Sequence, residues 1–178
     1  MALPDYLRLT PGTPVVWGPA SGSGVTLTLS LDALANGAAY MGAVADLGAT
    51  LASFYTVQVV AETGTAPTAG NTVEVYLACT HSTSYYPAGV TGSDALYKTG
   101  EEQEWLNQLA QGPDAVLVAT NDGNAVQVGQ PVVWYPKGRY VVPIYYNKLG
   151  QALRDEATAS NNDSRVILVP YTWTQEDA

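Results

Sequence analysis

The groups able to do chemistry near neutral pH are few in this chain of 178 residues: one histidine, His81, one cysteine, Cys79, and sixteen carboxylates. A Ser-His-Asp set would have to run through His81, but the chain holds no GxSxG nucleophile elbow, and His81 opens the hydroxyl-rich run Ser82, Thr83, Ser84. It is read as a structural or exposed histidine. One Cys with one His cannot build a thiolate or imidazole metal cage or an internal disulfide. Cys79 instead falls on an apolar strand face, where a thiol behaves as a small hydrophobe. Asp46, Glu62, Asp94 and Asp163 are available for two-carboxylate glycoside hydrolysis. Asn161, Asn162 and Asp163, or Asn121 to Asn124, offer oxygen ligands for calcium. Neither stretch has the spacing of a helical calcium loop, and turn chemistry explains both. The acids are expected as solvated surface groups. No catalytic residue, cofactor or metal ligand is assigned, and the expectation is that the protein is not an enzyme.

The elements that position these residues are strands. Val25, Leu27, Leu29 and Leu31 alternate with Thr26, Thr28 and Ser30, the clearest period-2 pattern in the chain. Tyr55, Val57 and Val59 repeat it, as do Val73, Val75, Leu77 and Cys79, with the loop-like Glu62 to Asn71 between them suiting a hairpin. Ala115–Thr120, Val126–Val128, Val132–Tyr135, Arg139–Asn147 and Arg165–Trp173 are further β-branched or aromatic runs. Asp122-Gly123 is a type I′ hairpin signal. Pro143 and Pro170 cannot donate ladder bonds, which predicts edge or bulged strands there. One short helix is expected over Glu101–Leu109, ended by Gly112 and Pro113, while Lys148–Glu156 reads as a structured loop. About eight or nine strands with long loops predict an all-β fold: an antiparallel β-sandwich of jelly-roll type.

Residues 1–20 differ from the single sandwich domain expected over 21–178. Leu3, Tyr6, Leu7 and Leu9 are interleaved with Pro4, Pro11 and Pro14, which predicts an extended apolar arm. Such an arm either covers an edge of its own sheet or docks on a neighbouring subunit. Twelve Tyr and four Trp against one Phe place most aromatic area at boundaries that are part buried and part wet. The pairs Tyr85 with Tyr86, Trp134 with Tyr135 and Tyr145 with Tyr146 should each put one ring in the core and one outside, where it serves ordinary packing, a protein interface or a sugar.

Sixteen Asp and Glu against seven Lys and Arg give a net charge of −9. So few cations cannot neutralise phosphates, so no nucleic-acid partner is expected. The longest apolar stretches, such as Val57 to Ala61 and Val166 to Pro170, fall far short of the about 20 residues of a membrane span. The proline-broken start fits no signal peptide, so synthesis and maturation in the cytoplasm are expected.

The run Met41–Ala61 (MGAVADLGATLASFYTVQVVA), Gly89–Asp94 (GVTGSD) followed by the acidic Glu101–Glu104, Pro136–Pro143 (PKGRYVVP), Asn147–Asp155 (NKLGQALRD) and Asn161–Val169 (NNDSRVILV) together resemble small virion structural proteins of tailed bacteriophages. The resemblance is one of texture and segment order and covers most of the chain from Leu31 onward. It implies a non-enzymatic virion protein made in the host cytoplasm, with a capsid decoration or cement protein as the preferred member. The implied partner is the major capsid protein lattice. A shell's local three-fold positions add the expectation of a homotrimer. The competing expectation is a carbohydrate-binding jelly-roll module serving as head fibre or receptor-binding protein.

Overall fold

The computed structural model describes residues 6–20, 22–99, 112–122, 126–155 and 163–176. These form thirteen strands: β1 (Tyr6–Pro11), β2 (Val15–Gly18), β3 (Leu27–Thr28), β4 (Ala38–Met41), β5 (Ala45–Asp46), β6 (Phe54–Glu62), β7 (Thr72–Thr80), β8 (Ala95–Thr99), β9 (Ala115–Val118), β10 (Val126–Val128), β11 (Val132–Trp134), β12 (Tyr140–Lys148) and β13 (Arg165–Glu176). A 3₁₀ turn lies at Pro87–Gly89. The expected short helix over Glu101–Leu109 lies outside the described residues.

Seven strands make one sheet, ordered β10-β6-β13-β2-β3, with β11 beside β6 and β1 beside β13. Six make the other, ordered β8-β4-β12-β7-β9, with β5 beside β12. Eight positions carry the topology. β1 and β2 pair with the last strand, β13; β4 pairs with β12; β6 pairs with β10 and β11; β7 pairs with β9. This nested antiparallel ribbon, folded across two sheets, is the jelly roll expected from the sequence. Trp17, Leu29, Val57, Val73, Tyr145, Val166 and Leu168 fill the space between the sheets.

Both prolines sit in strands that are not at an edge, contrary to the expectation. β12 lies in the middle of its sheet. Gly42 N–H donates to Pro143 O at 2.9 Å, so the nitrogen and oxygen of Pro143 both point toward the β4–β5 side. There the neighbouring chain leaves the ladder between Met41 and Ala45, and Ala43 N–H turns away to Thr28 O at 2.9 Å. Pro170 repeats the device, accepting from Gly12 N–H at 2.8 Å where β1 has ended and β2 has not begun. Each proline faces a break in its neighbour, where no donor is needed.

Other expectations change for similar reasons. Glu62 to Asn71 is no hairpin loop, because β6 and β7 belong to different sheets. β9 and β10 are likewise split between sheets, so the Asp122-Gly123 stretch, of which residues 123–125 lie outside the described residues, joins sheets instead of closing a hairpin. Val25 to Leu31 contributes only β3, parallel to β2. Leu29 and Leu31 are still buried, but Ser30 N–H donates to Asp94 Oδ1 at 2.8 Å and leaves the ladder. The loop reading of Lys148–Glu156 agrees with the described residues up to 155. Asn147 holds it, donating from Nδ2 to Leu34 O at 2.8 Å and Gln151 O at 2.9 Å.

Within residues 1–20, the expected arm, the chain already enters the sheet. β2 is an interior strand, and Trp17 on it is 0% exposed, its indole N–H donating to Ala43 O at 2.7 Å. Pro14 precedes the strand without interrupting it. Trp17→Ala should destabilise the protein by about 3–5 kcal/mol in equilibrium denaturation. A Cβ at Gly42 would stand 3.0 Å from Pro143 Cγ and 3.1 Å from Trp17 Cδ1. Gly42→Ala should therefore cost about 1–3 kcal/mol through overpacking in the same assay.

Candidate functional site

The two sheets treat their outer faces differently. On the six-stranded sheet, Ala39, Met41, Tyr76, Ala78, Val142, Ile144 and Tyr146 point away from the inter-sheet core and are buried, with Tyr86, Ala88, Val90 and Tyr97 packed in the same cluster. On the seven-stranded sheet, cross-strand pairing sets up rows on the outer face. Val133, Thr56 and Val169 form one row; Gln58, Ile167 and Val16 the next; Val128, Val60 and Arg165 another. At the end of the sheet Phe54 stacks on Tyr171 at 5.2 Å and 8°, and Tyr135 tilts against Phe54 at 6.5 Å.

This face is apolar but belongs to neither core cluster. Phe54, Val16, Ile167, Val169 and Tyr171 are half-buried although most sit mid-sheet. Val128, Val133 and Tyr135 are 55%, 53% and 65% exposed. Within these rows the one charge is Arg165, which pairs with Asp163 and donates to Asp163 O at 2.9 Å. The next residue outward on β6, Glu62, is buried beneath its ion pair with Arg154. Beyond Tyr171, β13 pairs only with β1, with Leu9 opposite Trp173 and Leu7 opposite Gln175. This two-stranded ribbon carries the face past the end of β6, with Leu7 71% and Trp173 52% exposed.

Of the arm residues expected to dock, Leu7 and Leu9 lie on this ribbon, Tyr6 is in β1 opposite Glu176, and Leu3 lies outside the described residues. Of the six aromatics, only Tyr135 joins the face. Tyr85 is exposed on the loop after β7, on the other side of the sandwich, and Tyr86 is half-buried there. Trp134 turns inward, edge-on to Tyr55 at 5.9 Å. The expectation of one ring in and one out fails for Tyr145 and Tyr146, because both faces of β12 are covered. Tyr145 lies between the sheets, its hydroxyl donating to Val60 O at 3.0 Å, and Tyr146 lies in the cluster on the opposite face. Phe54, Val16, Ile167, Val169, Tyr171 and Trp173 were missed. For Ile167 and Val169 the signal was present, since Val166 to Val169 is apolar at both alternations, as in a strand with two faces to cover.

The chemistry-bearing residues are tied up structurally. β9 begins at Ala115, opposite Val75, so the ladder stops short of Leu77. The Asp114 carboxylate takes its place, accepting Leu77 N–H at 2.7 Å and the Trp134 indole N–H at 3.1 Å. Burial pushes the Asp114 carboxyl up, opposed by those hydrogen bonds and Lys137. A cavity of about 170 Å³ opens beside it, lined also by Tyr76 and Cys79. Burial pushes the Cys79 thiol up as well, away from nucleophilic thiolate chemistry. His81 is exposed in the following loop. Asp46 holds Arg139 through two contacts of 2.7 Å, which lowers its carboxyl to about 2. Asp94 accepts from Ser30 Oγ at 2.6 Å, and Glu62 accepts from Asp163 N–H at 2.8 Å. Among the described residues, no group of three or more His, Cys, Asp and Glu side chains could hold a metal ion. Asn124, Asn161 and Asn162 lie outside them.

No family model, curated protein or solved structure matches this chain. The arrangement is suited to noncovalent association through a neutral sheet face. Asp114→Ala would leave two N–H groups beside the cavity without their acceptor, and should cost about 2 kcal/mol in denaturant unfolding.

Proposed function

We propose that this protein is a virion structural protein of a tailed phage, binding the outside of the capsid lattice as a cement or decoration protein. The observation that carries this reading is the neutral apolar face that continues from the seven-stranded sheet onto the Leu7–Trp173 ribbon. Large apolar surface left open on a folded chain marks an interaction site. The rest of the molecule is acidic, with net charge −9, which favours solubility of unassembled copies by mutual repulsion. Many ribbons on one shell add weak contacts into high avidity. In this reading the ribbon is the lattice contact, and the protein works by binding rather than by covalent chemistry.

Jelly rolls serve both capsid and lectin roles, so the fold does not choose between cement and carbohydrate-binding module. The aromatic row favours the first. Phe54 and Tyr171 turn their ring faces toward each other on an open sheet, leaving those faces unavailable for stacking on a sugar.

A Leu7→Asp, Trp173→Asp double variant tests the reading, since both side chains are exposed and the fold should survive, as checked by circular dichroism. Binding to purified shells of the phage whose particle carries this chain should fall at least tenfold in a sedimentation assay. Occupancy equal to the unsubstituted protein contradicts the ribbon as lattice contact.

A further inference from the structure

The seven-stranded sheet presents more surface than the ribbon needs. Its outer rows span four strand positions: β10 or β11, β6, β13, and β1 or β2. Strands about 4.8 Å apart and a rise of about 3.4 Å per residue from Phe54 to Val60, short of the buried Glu62–Arg154 pair, give a patch of roughly 20 by 24 Å. With side-chain relief and without the ribbon, that covers more than half of the about 800 Å² per partner of a standard interface.

The charge pattern selects the occupant. The rows carry Arg165 at one end, already engaged with Asp163, and none of the sixteen acidic residues. A partner that recognises charge finds nothing here to pair with. A second copy of this chain is repelled over most of its surface, but it meets this face with an identical neutral one. A flat sheet face is self-complementary about a two-fold axis, and sheets stacked about 10 Å apart at about −30° interdigitate their side chains. We infer that the outer face of the seven-stranded sheet pairs two copies of this chain back to back, burying Val16, Val133, Ile167, Val169 and Tyr171. The pairing is isologous, with the same patch on both copies. A trimer would need a second, different apolar surface to close, so this inference replaces the three-fold expectation with a two-fold one. It deepens the assembly reading and rests on it: the sheet serves self-contact, and the ribbon remains for the lattice.

The test is the mass of the free full-length protein by sedimentation equilibrium across micromolar concentrations. Twice the chain mass is expected. A Val128→Glu, Val133→Glu variant should weaken the dimer at least tenfold while keeping the circular dichroism spectrum of the folded chain, because both valines are more than half exposed. A Val116→Lys, Val118→Lys variant on the other sheet should remain dimeric. A monomer or trimer for the unsubstituted protein, or a Val128→Glu, Val133→Glu protein that stays dimeric, overturns the inference. The two readings fail separately: a monomer that still decorates shells overturns the pairing and leaves the cement role standing, whereas a dimer that never binds shells supports the pairing and contradicts the cement role.

Discussion

Strand β13 makes hydrogen bonds along both edges, to β6 on one side and to β2 and then β1 on the other, and the jelly roll closes around it. From Val166 to Val169 its side chains are apolar in both directions. Val166 and Leu168 go into the inter-sheet core, and Ile167 and Val169 go out. The inward pair accounts for folding. Each fully buried side chain of this kind contributes about 1.5–3 kcal/mol, set against the entropy of ordering the chain. The outward pair has no such use within the described residues, and it raises the question of function.

The same strand explains how two ends of the chain come together. Because β13 outruns β6, its last residues have β1 as their ladder partner, and the ribbon forms from the first and last described segments. Pro170 fits where the partner changes from β1 to β2. In the opposite sheet, Pro143 fits where the partner changes from β4 to β5. Proline in a central strand thus records a change of neighbour, a long-range fact that no local pattern contains.

That limit describes what could be read from the sequence. β6 and β7 were legible from their alternation, β9 and β12 as β-branched or aromatic runs, and so was the jelly-roll class. β4, β5 and β8 were not, since two to five residues rich in Ala and Tyr carry no usable period. Which strand pairs with which was hidden as well, and with it the fates of Tyr145 and Tyr146: alternation says they point in opposite directions, but only the tertiary structure shows that both directions are covered. The candidate face could have been found. The run Val166 to Val169, apolar at both alternations, was set against the length of a membrane span, when it suits a strand that needs a partner on each side. The arm was read as covering an edge of its own sheet or docking on a neighbour, and its pairing with the C-terminal strand, the first of these, depends on contacts more than 160 residues apart in sequence.

Electron cryo-microscopy of the native assembly tests the central claim most directly. The account expects density repeating over the outer surface of an icosahedral shell, with Ile167, Val169 and Tyr171 buried against another protein surface and the Tyr85 loop toward solvent. A particle in which that sheet face is open to water, or from which the protein is absent, would contradict it.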